Sequence, residues 1–76
     1  MKRKILNIGY ERLKDIREAR GLSISDIAKV LRSKPSQVKR WESGESRMKL
    51  HNYIVLANFY NLSLDYIAGL TDNPTK

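Results

Sequence analysis

The chain has 76 residues, enough for one small domain, with a formal net charge of +7 at pH 7 and a sequence pI near 10.0. This excess of positive charge indicates a polyanionic partner, a nucleic acid in preference to an anionic membrane surface. The sequence contains no cysteine, which excludes disulfides, thiolate metal sites and cysteine nucleophiles. At this size the burial of apolar surface is only marginally sufficient, so a second subunit would add stability.

Both ends of the domain are predicted to be flexible, over about residues 1–6 and 71–76. The first of these segments carries three consecutive basic residues, Lys2 to Lys4. Two roles stay open for them: contact with a DNA minor groove or backbone, or simple solubilisation. No signal-peptide core follows them, and the longest apolar run, Tyr53 to Ala57, is far too short to cross a bilayer. We therefore expect a cytoplasmic protein.

A first helix is predicted from about residue 8 or 9 to residue 20. Leu13 and Ile16 are its inward-facing pair, because residues three apart lie on one side of a helix. Asn7 is the candidate cap at its start, and Gly21 is the candidate residue that ends it.

A second helix is predicted from Ile24 to Leu31 or Arg32. Four apolar residues in it stand at i, i+3, i+4 and i+7, the spacing of a single helical stripe. Ser23 and Asp26 form a variant capping box at its start. Pro35 has no N–H and disfavours helical geometry in the residue before it, so residues 32–34 are expected to form a corner that leads into a third helix.

The third helix is predicted from about Pro35 to Glu42, with Val38 and Trp41 facing inward ~60° apart. Its other side is polar and basic and carries Ser36, Lys39, Arg40 and Ser43, with Gln37 at the edge. Hydroxyl, amide, ammonium and guanidinium groups of this kind bond phosphate oxygens and the base edges of the major groove. An ordinary solvated face would have the same composition, but the helix and corner before it favour an interaction with DNA.

Two further helices are predicted after a loop that begins at Gly44. The fourth runs from about Leu50 to Tyr60 and is apolar over most of its circumference, which indicates a central position in the fold. One of its stripes comprises Leu50, Tyr53, Ile54 and Ala57, and a second comprises Leu56 and Tyr60. The fifth helix is expected to be capped by Ser63 and to direct Leu64 and Ile67 inward.

One set of residues in these elements forms a recognisable pattern: Arg17, Gly21, Leu22, Ser23, Ile27, Ala28, Leu31, Val38, Trp41, Glu42, Gly44, Leu50, Tyr53, Ile54, Leu56, Ala57, Leu62, Ser63, Leu64, Asp65 and Tyr66. In spacing and order, without a gap from about Asn7 to Leu70, they resemble the helix-turn-helix domain of the phage Cro and repressor type. The resemblance implies one all-α domain over residues 1–76, a compact five-helix bundle of the lambda-repressor-like kind. It also implies a prokaryotic or phage-encoded transcriptional regulator, a repressor in particular, that binds specific double-stranded DNA by inserting helix 35–42 into the major groove.

The resemblance also implies roles for single residues. Arg17 and Glu42 are expected to form a largely buried ion pair, in keeping with the position of Glu42 ~40° around the helix from Val38. Base reading is assigned to Pro35, Ser36 and Arg40, and the guanidinium of Arg40 suits guanine O6 and N7. For Pro35 two roles stay open: contact with a thymine methyl group, or only the setting of the helix start. Flanking or backbone contacts are expected from Ser23, Lys34, Gln37, Lys39, Arg47 and Lys49.

Four residues depart from the pattern of the family, among them Val55 at a position that is usually polar. Ile24 replaces a glutamine that commonly touches a phosphate, so packing is its expected role. Arg32 replaces the usual glycine of the corner, so the turn either tolerates a less favourable backbone angle or takes another shape. Met48 replaces a common proline in the loop after the third helix.

A homodimer on a two-fold operator is the expected assembly, since half-sites one helical turn apart let both recognition helices enter one face of the duplex. The candidate subunit contacts are Val55, Phe59, Tyr66, Ile67 and Leu70, although closure of the same subunit's core is an equal alternative for the last three. No cofactor, metal, small-molecule effector or enzymatic activity is expected, because no carboxylate pair, metal cluster or glycine-rich phosphate loop is recognisable. The alternative function is a protein-interaction module of the same fold, such as an antitoxin or antirepressor.

Overall fold

The computed structural model describes residues 10–76, in which five helices follow one another. They are α1 (Tyr10–Ala19), α2 (Ile24–Leu31), α3 (Pro35–Ser43), α4 (Leu50–Tyr60) and α5 (Leu64–Ile67). The predicted all-α, five-helix architecture is confirmed, and α3 runs one residue beyond its predicted end at Glu42. The candidate cap Asn7 and the basic residues Lys2 to Lys4 lie outside the described residues. None of the described helices has the length and hydropathy needed to cross a membrane.

Two helices begin with the serine caps that the sequence predicts. At α2 the Ser23 hydroxyl accepts a hydrogen bond from the Asp26 backbone N–H at 3.0 Å, and the Ser23 N–H donates to the Asp26 carboxylate at 2.8 Å. This reciprocal pair is a capping box, and the Ser23 N–H lowers the pKa of the Asp26 carboxyl. At α5 the Ser63 hydroxyl accepts from the Tyr66 N–H at 3.0 Å.

Each of the five described helices is followed, one or two residues after its last residue, by a residue with left-handed backbone geometry. These residues are Gly21, Arg32, Gly44, Asn61 and Gly69, with φ values of 69°, 55°, 81°, 58° and 81°. In every case the next N–H returns to a carbonyl five residues earlier, for example Ser33 to Ala28 at 2.8 Å. This is the Schellman motif, which satisfies carbonyls that the helix end leaves unpaired. Arg32 therefore keeps the family's turn and adopts the less favourable backbone angle, one of the two outcomes left open by the sequence.

The core lies where α1, α2, α3 and α4 meet, and α5 closes it. Its buried apolar residues are Leu13, Ile16, Ile27, Ala28, Leu31, Val38, Trp41, Met48, Leu56, Ala57, Tyr60 and Ile67. Ile24 is half-buried and packs against this cluster, which confirms the packing role expected of it. Met48 enters the core from the loop between α3 and α4, so a buried side chain anchors that loop.

One candidate subunit contact belongs to this core instead. Ile67 has 0% of its surface exposed within a single chain, so it has no surface left for a second subunit. Its assignment to a dimer contact is wrong, and the alternative, closure of its own core, is correct. Tyr66 is half-buried beneath the Arg12 guanidinium, whose carbon lies 4.2 Å from the ring centroid.

The helix α4, predicted to be central in the fold, has only part of its apolar surface buried. Leu50 is 64% exposed and Ile54 is 42% exposed, whereas Leu56, Ala57 and Tyr60 are buried. At ~100° per residue the last three define the core-facing direction, and Leu50 and Ile54 lie about 70–110° around the helix from it. The central position predicted for α4 from its largely apolar circumference therefore does not extend to these two residues, because a helix on the surface of a small domain buries only one side.

The segment after α5 lies back on α1 and on the start of α5. Arg12 donates to the Thr71 carbonyl at 3.2 Å and to the Asp72 carboxylate at 3.1 Å. The Ser63 N–H donates to the Pro74 carbonyl at 2.9 Å. The flexibility expected of residues 71–76 stays a prediction.

Candidate nucleic-acid interface

The orientation of α3 sets the geometry of the site. Val38 is 2% exposed and Trp41 is 8% exposed, so these two residues fix α3 on the core. Ser36, Lys39 and Arg40 are all exposed on its other side. Pro35 is the first residue of the helix and is also exposed. The sequence-predicted base-reading residues therefore occupy one outer surface of α3, which no other described part of the chain covers.

A buried ion pair holds the far end of α3 to α1. Arg17 Nε lies 2.7 Å from Glu42 Oε2, and Arg17 Nη2 lies 3.0 Å from Glu42 Oε1. Arg17 Nη1 also donates to the Leu22 carbonyl at 2.9 Å. The hydrogen bonds that Arg17 donates to the Glu42 carboxylate raise the pKa of the Arg17 guanidinium. The pair that the family resemblance implies is thus present and bidentate, and it has a structural rather than a base-reading position.

Tyr60 of α4 lies in the same electrostatic environment. Burial raises the pKa of its phenol to about 12, and the nearby Glu42 carboxylate contributes to the rise. Arg20 packs against the Tyr60 ring, with its guanidinium carbon 5.2 Å from the ring centroid. It also donates a hydrogen bond to the Tyr60 carbonyl at 3.1 Å. These contacts join the end of α1 to α4 behind α3.

An open groove of about 650 Å³ runs along one side of α3. Three of the eight described residues that line it are cationic and none is acidic. The lining residues are Ser33, Lys34, Gln37, Trp41, Ser46, Arg47, Lys49 and Asn52. Concentrated positive charge beside hydroxyl and amide groups is the chemistry that binds the phosphate backbone of DNA.

Two helix starts border this groove. Lys34 is the N-cap of α3 and Lys49 is the N-cap of α4, and neither side chain makes a capping hydrogen bond. The positive end of a helix dipole favours anions, so both starts reinforce the attraction that the lysine charges exert on phosphate. The tertiary fold thus brings together two cationic helix starts that are 15 residues apart in the sequence (34 and 49).

The structure groups four of the predicted flanking residues at this groove and separates two others from it. Lys34, Gln37, Arg47 and Lys49 line the groove, and Gln37 also donates to the Ser46 hydroxyl at 3.4 Å. Ser23 and Lys39 are exposed but do not line the groove. The oxygen of Ser23 is already the acceptor of the α2 cap.

Sequence reasoning did not single out Ser33, Ser46 or Asn52 as groove residues. One signal was available for Asn52, which follows Lys49 by three residues and so shares its side of α4. Ser33 and Ser46 lie in the corner and the loop, where no helical periodicity exists to place a side chain. Glu45 is a further omission, since its Oε2 lies 3.7 Å from Nε of the base-reading candidate Arg40.

The remaining dimer candidates differ in exposure. Phe59 and Leu70 are exposed, Val55 and Tyr66 are half-buried, and Ile67 is excluded as described above. Leu50 and Ile54 add exposed apolar surface on α4, the helix that the sequence predicted to be central.

Known proteins match this chain over most of its length. The family model described as Helix-turn-helix (HTH_3) matches residues 13–67. The chain is 33% identical over 64 residues to the uncharacterized HTH-type transcriptional regulator YobD of Bacillus subtilis (strain 168), a match that covers 84% of this chain and 57% of that protein. The crystal structure of a transcriptional regulator from Listeria innocua is similar, with a TM-score of 0.77 and 29% sequence identity over 82% of this chain and 58% of that one. The chain therefore spans little more than half the length of either relative.

Proposed function

Because the chain belongs to the helix-turn-helix family of Cro and repressor type, we propose that it is a DNA-binding transcriptional regulator. The family is one of transcriptional regulators and not of enzymes. In the proposed complex α3 enters the major groove of double-stranded DNA, and the cationic groove beside it receives the phosphate backbone. The protein acts in the bacterial cytoplasm, and as a repressor where its operator overlaps a promoter.

The observation that carries this proposal is the burial of Val38 and Trp41 on one side of α3. Because these two side chains fix the helix on the core, Ser36 and Arg40 face outward together. A helix in this position can approach base edges without any rearrangement of the core. The adjacent groove, with Lys34, Arg47 and Lys49 in its lining, supplies the charge that holds the helix in register.

The contacts divide between base reading and positioning. Arg40 reads guanine through two hydrogen bonds to O6 and N7, Ser36 donates to or accepts from a neighbouring base edge, and Pro35 contacts a thymine methyl group. The groove cations and Gln37 bind phosphate oxygens. Ser23 and Lys39, outside the groove, make further backbone contacts at its flanks. This division predicts that changes on α3 alter sequence preference, whereas changes in the groove weaken all sequences alike.

A salt titration tests the proposal. Operator duplexes are first selected from a random pool, and their affinity and that of bulk DNA are then measured by fluorescence anisotropy over a range of salt concentrations. We expect affinity to fall steeply as salt rises, with several counterions released, and the selected duplex to be preferred by about 10³-fold or more. Binding that shows neither sequence preference nor salt dependence would contradict the proposal and favour a protein-interaction module.

We also propose that the protein binds a two-fold operator as a homodimer. The exposed apolar side chains Phe59 and Leu70, with half-buried Val55, are the proposed contact. Analytical ultracentrifugation of Phe59→Glu should show monomers at concentrations where the unchanged protein is dimeric. Leu50→Glu is the matched control, because it places the same charge at an exposed apolar position at the other end of α4. If Leu50→Glu alone dissociates the dimer, the contact lies at the start of α4 instead.

A further inference from the structure

Glu45 is an acidic residue that meets Arg40 on the base-reading surface of α3, and the proposed contacts give it no role. Its Oε2 lies 3.7 Å from Nε of Arg40, and both side chains are largely exposed, at 63% and 57%. A carboxylate at this place opposes phosphate binding, so its position beside the principal base-reading residue needs a physical account.

The backbone at the end of α3 brings these two residues together. Gly44 adopts a φ of 81°, its N–H returns to the Trp41 carbonyl at 3.3 Å, and the Glu45 N–H returns to the Arg40 carbonyl at 3.0 Å. In this motif the side chains at the positions of Arg40 and Glu45 are neighbours and commonly make an apolar contact. Here an ion pair replaces that contact. The helix-ending turn therefore brings the two residues close enough for the carboxylate to meet the guanidinium.

The direction of the contact matters for readout. Glu45 engages the Nε edge of Arg40, and within residues 10–76 no hydrogen bond occupies the two terminal nitrogens of this guanidinium. Those two nitrogens are the pair that binds guanine O6 and N7 end-on. We infer that Glu45 is a positioning residue that orients Arg40 for a guanine and thereby sets the base preference of α3. This inference rests on the proposed function and adds a residue that increases its sequence specificity.

The same carboxylate has a second effect, on binding to DNA in general. A negative charge beside the phosphate backbone weakens attraction to every sequence, whereas an oriented Arg40 strengthens the attraction to the correct base pair alone. Both effects raise the ratio of specific to non-specific affinity. Loss of the carboxylate should therefore tighten binding to bulk DNA while it reduces discrimination at one base pair.

Glu45→Gln tests the inference, because it removes the charge and keeps the backbone N–H that closes the turn. The base pair read by Arg40 is first identified as the one at which Arg40→Ala relaxes the preference. Discrimination is then the ratio of Kd values for duplexes that differ only at that base pair. We expect Glu45→Gln to reduce this ratio about two- to fivefold, the range that an exposed ion pair supplies. Affinity for bulk DNA should rise at the same time.

Three controls separate orientation from charge and from folding. Asp15→Asn removes one negative charge from an exposed position in the cleft between α1 and residues 62–74, and it should leave the ratio unchanged. Glu45→Gln in the Arg40→Ala background should also leave the ratio unchanged. Glu45→Asp retains the charge and should retain part of the discrimination. Thermal unfolding of each variant verifies that the fold is intact.

The outcomes also separate this inference from the proposed function. If Glu45→Gln and Asp15→Asn discriminate equally between duplexes that differ at this base pair, the inference is overturned while the proposed function stands. Arg40→Ala that weakens all duplexes equally also overturns it, because Arg40 is then a phosphate contact. If no duplex is preferred by the unchanged protein, the proposed function fails and the inference fails with it.

Discussion

Two arginine–glutamate pairs involve α3, and they differ in burial and geometry rather than in chemistry. Arg17 and Glu42 meet behind the helix at 2.7 Å and 3.0 Å, with side chains only 10% and 8% exposed. Arg40 and Glu45 meet in front of it at 3.7 Å, in solvent. The two carboxylates are three positions apart in the sequence (42 and 45). The turn at Gly44 lies between them, and Glu42 is buried whereas Glu45 is exposed.

Burial determines what each pair does. In the core, a charge that loses its partner has no water to replace it, so the buried pair fixes the angle at which α1 holds α3. At the surface, water and salt compete with the partner, so the exposed pair contributes little to folding and its arginine stays available to DNA. The same two side-chain types therefore form a structural brace on one side of α3 and, in the proposed DNA complex, a base-reading pair on the other.

The largest effect is expected from breaking the buried pair. Glu42→Ala leaves the Arg17 guanidinium uncompensated, and Arg17→Ala does the same to Glu42, so the free energy of unfolding should fall by about 3–5 kcal/mol in either variant. Chemical denaturation followed by circular dichroism measures the loss. Glu18→Gln is the control, since this exposed carboxylate lies 4.0 Å from Arg17 and its loss should change stability by less than about 0.5 kcal/mol. Unaltered stability in both alanine variants would refute the bracing role.

The arginine of the exposed pair should matter for DNA instead of for folding. Arg40→Ala is expected to weaken operator binding by about 1–3 kcal/mol and to relax the preference at one base pair. Lys39→Ala is the companion variant, because its neighbouring exposed ammonium should act on all sequences and lower the salt slope by about 1. Equal weakening of every duplex by both variants would show that α3 contacts only phosphates.

The turn that separates the two pairs is expected to be sensitive to a single methyl group. Gly44→Ala forces alanine into left-handed geometry, which costs about 1–2 kcal/mol. Its Cβ would also lie 3.0 Å from the Tyr10 ring, so the total loss should exceed that range. Gly21→Ala is the matched control, with a similar φ of 69° and nothing within 4 Å of the added methyl. Denaturation midpoints that coincide for the two variants would show that Tyr10 moves aside freely.

The corner before α3 offers a change that stabilises the frame and touches neither pair. Arg32 has a φ of 55°, so Arg32→Gly removes left-handed strain, partly offset by the greater freedom of glycine in the unfolded chain. We expect a gain of about 0.5–1 kcal/mol in the free energy of unfolding. Asn61→Gly should increase the free energy of unfolding by less. Asn61 has a φ of 58°, close to the 55° of Arg32, but asparagine adopts left-handed geometry more readily than arginine does. A loss of stability in Arg32→Gly would indicate contacts of the arginine that outweigh the strain.

The smallest effect on folding is expected from the exposed pair itself. Glu45→Gln should change the free energy of unfolding by less than about 0.5 kcal/mol, and any difference should shrink as salt is added. The measurement is the same denaturation experiment at low and high salt. A loss as large as that of Glu42→Ala would mean that the two pairs are equivalent, and the contrast between them would disappear.

The helices and most of the site on α3 could be predicted from the sequence because they depend on local chemistry. Pro35 and the Ser23 cap begin helices, Gly44 ends one, and the spacing of Val38 and Trp41 identifies the buried side of α3. The Arg17–Glu42 pair followed from the family resemblance. Predictions failed where periodicity had to choose among several apolar sides, as for Leu50 and Ile54 on α4.

The sequence by itself determined where the chain turns and which side chains are apolar, since capping, proline geometry and helical spacing act over a few residues. Only the tertiary structure decided which apolar residues found partners, because one side of α4 suffices to close so small a core. It also decided that Lys34 and Lys49 share a groove and that Glu45 meets Arg40. Those arrangements depend on the angle of α3 against the core and on one left-handed residue, neither of which a one-dimensional pattern specifies.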